Sequence, residues 1–326
     1  MKAALLSDTG VQIGEAPKPR PAANQVLVCV RASSLNRADL LVAGGHRHGA
    51  IGGPGTVLGL EFAGEVEAIG SDVRDVRDVR EGDRVMCSGS GGHAEYAVAD
   101  WGRVAPIPNH AMSFEQAATL PVALQTMHDA VVANGRLKAG EAVLIQGASS
   151  GVGLMGLQIA RLRGARLVIG TSSDATRRGR LKEFGADLAI DARNSGWSEA
   201  VLEATEGRGV DLIVDQVSAG VSRENMRAAA VRGRIINVGR LGGFAGEFDF
   251  DLHALKRIDY IGVTFRTRSL DEVREINRRM RADLWGDVES GRLRLPIDRT
   301  FPLDQAASAL AHMRANAHFG KIVLRV

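Results

Sequence analysis

The sequence predicts an α/β protein, in which an open, doubly wound, parallel sheet of six strands is joined to a second, mostly antiparallel β domain. Three observations predict it. Between residues 142 and 265, six short apolar runs alternate with helical stretches that stop at a glycine or a polar residue, the rhythm of strand–helix–strand units. The first of those runs passes straight into Gly147-Ala148-Ser149-Ser150-Gly151-Val152-Gly153 and then into the helical LMGLQIARLRG. From Val26 to Val104 the text reads instead as short β-type runs separated by glycine clusters.

In chain order, the first half offers VLVCVRA, FAGEVEAIG, DRVMC and AEYAVA as strands, punctuated by Gly52, Gly53, Gly55 and the cluster Gly89 to Gly92. One triplet occurs three times over, as Asp72-Val73-Arg74, Asp75-Val76-Arg77 and Asp78-Val79-Arg80, and reads as a lengthened, solvated turn. After about residue 121 the rhythm changes. Strands are expected at 142–146, 166–170, 188–191, 210–215, 234–239 and 258–265, and helices at 151–163, 174–184, 197–205 and 220–231. Continuous β-branched runs such as LIVD and IINV need burial on both faces, hence parallel strands covered by helices. Beyond residue 266 a charged helix (LDEVREINRRM) and short β pieces return to the first domain. The division is therefore 1–121 with 266–326, and 122–265.

Composition narrows the function. A chain of 326 residues exceeds the roughly 250–300 at which single cores stop growing, so two domains and a cleft are expected. Its net charge of +3 is small, and Lys and Arg are scattered among acids, which argues against nucleic acid or a polybasic membrane surface as partner. Cys29 and Cys87 are the only cysteines, too few for a disulfide framework or a four-thiolate zinc lobe, and read as small buried hydrophobes. The opening MKAALLSDTG has no charged region followed by a long apolar stretch, and no run reaches the roughly 18–20 apolar residues of a membrane span. A cytoplasmic location is expected.

The glycine-rich segment is read as a phosphate cradle. Small residues let the backbone approach a pyrophosphate, and the N-terminus of the following helix meets the negative charge with free N–H groups. Its position between a buried strand and a glycine-capped helix is the context that such a motif requires. Ser149, Ser150, Gly151, Val152 and Gly153 are the candidate phosphate ligands. Gly151-Val152-Gly153-Leu154-Met155-Gly156 also spells G-x-G-x-x-G, but the earlier frame puts the tight turn at the strand end. About 20 residues on, where an acid usually takes the ribose 2′-hydroxyl, the chain has Gly170-Thr171-Ser172-Ser173 and no acid before Asp174. Ser172 and Ser173 followed by Arg177 and Arg178 suit a 2′-phosphate, hence NADPH. The alternative is that both arginines decorate an exposed helix face.

With Asn36-Arg37-Ala38-Asp39-Leu40, Gly59-Leu60-Glu61-Phe62-Ala63-Gly64-Glu65-Val66, Gly82-Asp83-Arg84-Val85, Ala94-Glu95-Tyr96, Gly147 to Gly153 and His318-Phe319-Gly320-Lys321-Ile322-Val323-Leu324 in order, nearly the whole chain resembles the medium-chain dehydrogenase/reductase superfamily. Within it, the chain looks like the quinone oxidoreductases. The resemblance implies a Rossmann domain plus a GroES-like β domain, a nicotinamide cofactor in the cleft between them, and a dimer or tetramer. Zinc members carry a Cys where this chain has Asn36, a His where it has Leu60 and a third ligand where it has Val122, so no catalytic zinc is expected; Glu61 alone survives. His46, His48, His93 and Cys87 lack the ligand spacing of a metal site, and the histidines read as solvated or loop residues.

By the same resemblance, Asn36 faces the acceptor and the nicotinamide, and Thr126 touches the nicotinamide or its ribose. Ser150, Gly151 and Val152 hold the pyrophosphate, while Ser172, Ser173 and Arg177 read the 2′-phosphate. Gly239, Phe265, Gly320 and Lys321 line the rest of the cofactor path. A helix-interior role for Thr126 and a surface cation at Lys321 are the bland alternatives. Two departures stand out. Ala192 sits where relatives often place a tyrosine beside the adenosine phosphate, with Arg193 as the substitute at hand, and the 44–56 loop offers His48 where a tyrosine often covers the nicotinamide pocket.

Without a Lewis acid, the expected acceptors are those already electrophilic, a quinone or an α,β-unsaturated carbonyl, with Asn36 orienting the acceptor and solvent or His48 supplying protons. An enoyl-thioester reductase is the alternative within enzymes. A redox-sensing or RNA-binding protein that keeps the nucleotide site is the alternative of another class. The apolar IDYIGVTF is expected at a sheet edge, where pairing with a second copy would make a homodimer.

Overall fold

The computed structural model describes residues 1–49, 51–74, 79–108 and 111–326. Residues 75–78, in the middle of the Asp-Val-Arg repeat, residue 50 in the 44–56 loop, and residues 109–110 lie outside the described residues. Contacts divide the chain into one unit of Met1–Val122 with Phe265–Val326 and another of Ala123–Thr264.

The first unit is built on a seven-stranded sheet. Its order is Ile297–Pro302, Lys321–Arg325, Gln25–Ser34, Glu61–Ile69, Arg84–Ser88 and Val104–Pro106, with Tyr96–Asp100 pairing to Gln25–Ser34 off this path. All pairs are antiparallel except Ile297–Pro302 with Lys321–Arg325. Alternation in Gln25–Ser34 sends Val26, Val28 and Val30 into one core with Phe62, Val66, Val85 and Cys87. A second cluster joins Leu35, Leu58 and Ile322 to the helix Ala306–Arg314. The charged stretch after 266 forms the 20-residue helix Leu270–Glu289, started by a capping box of Ser269 and Glu272. Arg274 on that helix grips Asp100 with two hydrogen bonds, of 3.0 and 2.7 Å, which ties it to the β domain. The repeat is less solvated than expected: Ser71–Arg74 makes one helical turn that buries Val73 completely in the antiparallel core.

The second unit carries six parallel strands in the order Leu188–Ile190, Leu167–Thr171, Ala142–Ile145, Val210–Asp215, Ala229–Asn237 and Asp259–Gly262. The order doubles back at Ala142–Ile145, the doubly wound pattern, and all four residues of that strand are fully buried. Asp259–Gly262 is the terminal strand, paired on one side to Ala229–Asn237.

Several boundaries differ from the expectation. The helix expected at 220–231 is Ser222–Ala228, and the chain is already strand at Ala229, because the fully buried Ala229 pairs with Val210 before a bulge at Arg232 and Gly233 resets the register. The helix expected at 174–184 divides into Ala175–Gly179 and a 3-10 turn, Leu181–Phe184. A helix not expected, Phe250–Lys256, is capped by Asp249. Another, Pro121–Met127, runs on into the π-helical His128–Asn134, and the boundary between units falls within it.

One buried cation anchors the base of the parallel sheet. Arg234 donates to Glu141 at 2.7 Å and to the carbonyls of Asp211 and Arg136. Arg234→Met should strand the Glu141 carboxylate and three hydrogen bonds, lowering stability by about 2–4 kcal/mol. Urea titration of the variant checks this.

Candidate active site

Every residue of the phosphate cradle owes its place to the end of a strand. The strand Ala142–Ile145 stops at Gln146, and Gly147 turns the chain with a φ of +64°, a conformation that glycine adopts without a Cβ clash. Ser150 then caps the helix Gly151–Leu162, its Oγ accepting from Gly153 N at 3.0 Å. A Cβ on Gly153 would lie 2.6 Å from Gly147 O, so only glycine lets the helix start this close to the loop. The N–H groups of Gly151 and Val152 are in the first helical turn, where no intrahelical carbonyl is available to them. A tight glycine turn, free first-turn donors and a helix dipole together fit a dinucleotide pyrophosphate.

Beneath the cradle runs a buried polar chain. Asp215 Oδ1 accepts from the N–H groups of Val217 and Ser218, at 2.8 and 3.0 Å, and its Oδ2 from Asn225 Nδ2 at 3.0 Å. Asn225 in turn accepts from Gln146, and Gln146 from the hydroxyl of Thr171. Burial raises the Asp215 carboxyl above its ordinary value, against the pull of those donors. Gln216 reaches the loop itself, donating to Gln146 O at 2.9 Å and accepting from Ser150 Oγ at 3.2 Å.

Of the residues expected to read the 2′-phosphate, Arg177 holds its guanidinium 3.6 Å from Asp174 Oδ1, and Ser172 faces the cradle. Its hydroxyl lies 3.1 Å from that of Ser149, uniting two candidates 23 positions apart. Ser173 is half-buried beside it. Arg177 N donates to Asp174 Oδ1 at 2.8 Å, and Asp174 caps its short helix. That backbone bond holds the Asp174 carboxyl below its usual range. Arg178 is turned inward, onto Ser172 O at 3.1 Å and Asp191 at 3.1 Å. Arg193, also paired to Asp191, is exposed.

The other unit holds a buried charged cluster, assembled by strand register. The last strand pairs Val323 with Ser34, and Leu35 N donates to Ile322 O, which sets Lys321 beside the turn at Asn36. Lys321 Nζ donates to Glu61 Oε1 at 2.5 Å, to Asn36 Oδ1 at 3.0 Å and to Leu35 O at 2.9 Å. Those are all three of its protons. Glu61 is fully buried and also accepts from Ser34 Oγ at 2.6 Å, Asn36 Nδ2 at 3.0 Å and Val122 N at 2.8 Å. Asp39 pins the backbone, accepting from Asn36 N at 2.7 Å and Gly59 N at 3.2 Å. Desolvation pushes its carboxyl up to about 6.

Behind this cluster lies His93, wholly buried. Ser33 gives its one hydroxyl proton to Glu61 O at 3.0 Å, so His93 Nδ1 is the donor in the 2.5 Å contact with Ser33 Oγ. Nε2 is then left without a hydrogen bond, 3.9 Å from Asp39 Oδ2. Burial drives the imidazole pKa down to about 3.

The remaining candidates lie elsewhere. Thr126 is half-buried on Pro121–Met127, and His48 is half-buried in a two-way backbone pairing with Ile51. Gly239 approaches Gln216 so closely that a Cβ would meet its carbonyl at 2.5 Å, and Gly320 likewise meets Pro296 O at 2.3 Å. The ring of Phe265 is half-buried, with the Arg268 guanidinium 5.7 Å over it. Lys321, expected on the cofactor path or else as a surface cation, is 4% exposed and so is not a surface cation. Nothing in the sequence marked Ser33 or Ser34, Asp39 stood only within a motif, and His93, expected as a loop or solvated histidine, is instead wholly buried against Ser33. The one available signal was Glu61, an acid inside an apolar strand that requires a partner.

Comparison with known proteins accounts for both units. The alcohol dehydrogenase GroES-like domain family matches residues 22–109, and the zinc-binding dehydrogenase family matches residues 151–281. The chain belongs to the medium-chain dehydrogenase/reductase superfamily. It is similar to a phenolphthiocerol/phthiocerol polyketide synthase of Mycobacterium tuberculosis, with 31% identity over 97% of this chain and 14% of that protein. The chain thus spans only a small part of the curated relatives it matches. Among solved structures, a mycobacterial protein complexed with NADPH superposes with a TM-score of 0.89 at 25% identity, covering 100% of both chains. A quinone oxidoreductase of Pseudomonas syringae pv. Tomato DC3000 gives 0.86 at 25%, again over 100% of both. This medium-chain dehydrogenase/reductase therefore has a nicotinamide-dinucleotide-binding dehydrogenase fold and is quinone oxidoreductase-like. No helix is long and apolar enough to cross a membrane among the described residues.

The zinc in the name of one matched family finds no ligand set here. Asn36, Leu60 and Val122 offer neither thiolate nor imidazole, and Glu61 is already bound by an ammonium. Among the described residues, no group of three or more His, Cys, Asp or Glu is placed to hold a metal ion.

Two outcomes are expected. Gly153→Ala should weaken nicotinamide-dinucleotide binding by about tenfold or more, because backbone rather than a side-chain tip blocks the new methyl, and fluorescence titration measures it. His93, neutral when folded down to about pH 3 but protonated below about 6.5 when unfolded, makes stability fall as pH drops through that window. Asp39, with its pKa raised to about 6, opposes this by binding a proton in the folded state between about pH 4 and 6. Between about pH 6 and 4 the two slopes nearly cancel, so parental stability should change little there, whereas His93→Gln, which leaves Asp39 unopposed, should make stability rise on acidification by at most ~1.4 kcal/mol per pH unit. Thermal melts from pH 7 to 4 test the difference.

Proposed function

We propose that this protein is a zinc-independent, NADPH-dependent oxidoreductase that reduces a quinone or an α,β-unsaturated carbonyl compound. The observation that carries this reading is the buried pairing of Lys321 with Glu61 and Asn36. Where zinc relatives need metal ligands, this chain holds an amide and a neutralised carboxylate, so no Lewis acid is available to activate a simple alcohol. Conjugated acceptors do not need one. Charge arriving with the hydride spreads onto a carbonyl oxygen, which one well-placed N–H donor can stabilise.

NADPH, when bound, supplies the hydride and leaves as NADP⁺. The chain's residues supply position and protons. Ser150, Gly151 and Val152 hold the pyrophosphate, and Ser149, Ser172, Ser173 and Arg177 receive the 2′-phosphate. Thr126, Gly239, Phe265 and Gly320 line the remaining path of the cofactor. Asn36 orients the acceptor by donating from Nδ2, and the proton that completes the two-electron reduction comes from solvent or from His48.

A second reading, reduction of an enoyl thioester, is favoured by the similarity to a polyketide synthase over 97% of this chain. Turnover of NADPH with 1,4-benzoquinone against turnover with crotonyl-CoA separates the two. Quinone reduction is expected to dominate; dominance of the thioester would transfer the assignment, and NADPH binding without turnover of any acceptor would favour a sensor. Arg177→Ala should raise KM for NADPH about tenfold while leaving that for NADH nearly unchanged, since a lost charge-assisted bond to the 2′-phosphate affects only the first.

The same reading includes a homodimer. The terminal strand Asp259–Gly262 directly follows in the chain the helix Phe250–Lys256, on which Phe250 and Leu255 are 78% and 69% exposed. Multi-angle light scattering giving the mass of a single chain would remove that part of the reading.

A further inference from the structure

The side-chain amide of Asn36 is held in one of its two orientations by charges on both sides. Oδ1 accepts from the Lys321 ammonium at 3.0 Å, and Nδ2 donates to Glu61 Oε1 at 3.0 Å. Turning the amide over would set Nδ2 against the ammonium and Oδ1 against the carboxylate, replacing two charge-assisted hydrogen bonds with two repulsions. The other N–H of Nδ2 is given to Ser34 O over 3.5 Å, the limit for a hydrogen bond, a weak bond that a nearer acceptor oxygen would replace or share. Asn36 is 8% exposed, which leaves a small window for that donor.

Lys321 cannot serve a second partner. Its three protons go to Glu61, Asn36 and Leu35 O, and its side chain is 4% exposed. The resemblance by which it would line the cofactor path therefore meets an ammonium already saturated inside the β domain. Nor is Glu61 available as an acid or base, since Lys321, Ser34, Asn36 and Val122 take up its oxygens.

We infer that Lys321 and Glu61 are positioning residues which lock the Asn36 carboxamide so that it presents N–H, never C=O, to the acceptor, and that the acceptor must carry a carbonyl oxygen to receive it. The role rests on the reading of Asn36 as the group that touches the acceptor. The ammonium also draws electron density through Oδ1, which makes the outward N–H a stronger donor as negative charge builds on the acceptor oxygen. A neutral amide thereby acquires part of the polarising power of a nearby cation, while the cation itself stays away from the reacting atoms.

The test separates orientation from simple charge balance. Lys321→Met alone leaves a buried carboxylate unpaired and can fail to fold, so it is paired with the double variant Glu61→Gln/Lys321→Met, which removes both charges and keeps the volume nearly constant. With NADPH and 1,4-benzoquinone, the double variant should melt close to the parent and lose about tenfold or more in kcat, with KM for NADPH changed less than about twofold. Parental kcat in the double variant would show that Lys321 only neutralises Glu61, and a rise in KM for NADPH larger than the fall in kcat would place Lys321 on the cofactor; either result overturns the inference.

A readout without turnover accompanies it. In the parent, the Asn36 side-chain amide should give two well-separated NMR signals, with the proton facing Glu61 exchanging at least tenfold more slowly than in the double variant. Equal and rapid exchange of both protons in the parent would overturn the locked orientation. Slow exchange in a protein that reduces no quinone or enone would retain the lock and refute the proposed function instead.

Discussion

A carboxylate with no exposure to solvent is costly unless its charge is met and its lone pairs are used, and Glu61 is such a group. The rest of the β unit is arranged to satisfy it. Ser34 and Asn36 come from the strand and turn that pair with its own strand, Val122 N from the start of the helix Pro121–Met127, and the ammonium from Lys321 in the final strand. Three segments far apart in the chain converge on one side chain, which ties the order of strands to the geometry of the site. Lys321–Arg325 has to lie against Gln25–Ser34 for the ammonium to arrive, and the antiparallel register places it there.

The parallel unit solves a similar problem with neutral groups. The phosphate cradle needs a loop that is open to a ligand and yet fixed in shape. Gly147 and Gly153 permit the close approach, and Ser150 closes the first helical turn. Beneath them, Thr171, Gln146, Asn225 and Asp215 form a continuous chain of hydrogen bonds across the ends of three strands and a helix. Only Asp215 carries a charge, and its two backbone donors and one amide donor work against the desolvation that raises its pKa. Fixed dipoles beneath the loop leave the positive end of the helix free to face an anion.

These two polar centres have different tolerances. Replacing one partner of the Glu61 pair exposes a buried charge, whereas replacing Thr171, at the end of the chain away from Asp215, breaks a neutral hydrogen bond of smaller worth. His93 belongs with the first. It is packed against Ser33 with its other nitrogen unsatisfied, and its neutrality is the condition on which the β core tolerates it.

Local pattern in the sequence sufficed for the architecture and the cradle. Alternation in Gln25–Ser34, continuous apolar runs in the parallel strands, and glycines where a strand meets a helix each report on neighbours a few residues away, so the doubly wound sheet and the antiparallel β domain were legible, while the resemblance supplied the GroES-like character of the latter. Helix ends were less so, because the buried side chain of Ala229 favours the sheet over another helical turn, a choice made by tertiary packing. Asn36 could be named from motif and resemblance, but not the orientation of its amide. Lys321 stands 260 positions from Glu61, and nothing in the residues around either one announces the other. Strand pairing brings them together, and the cost of burying one charge without its opposite keeps them there.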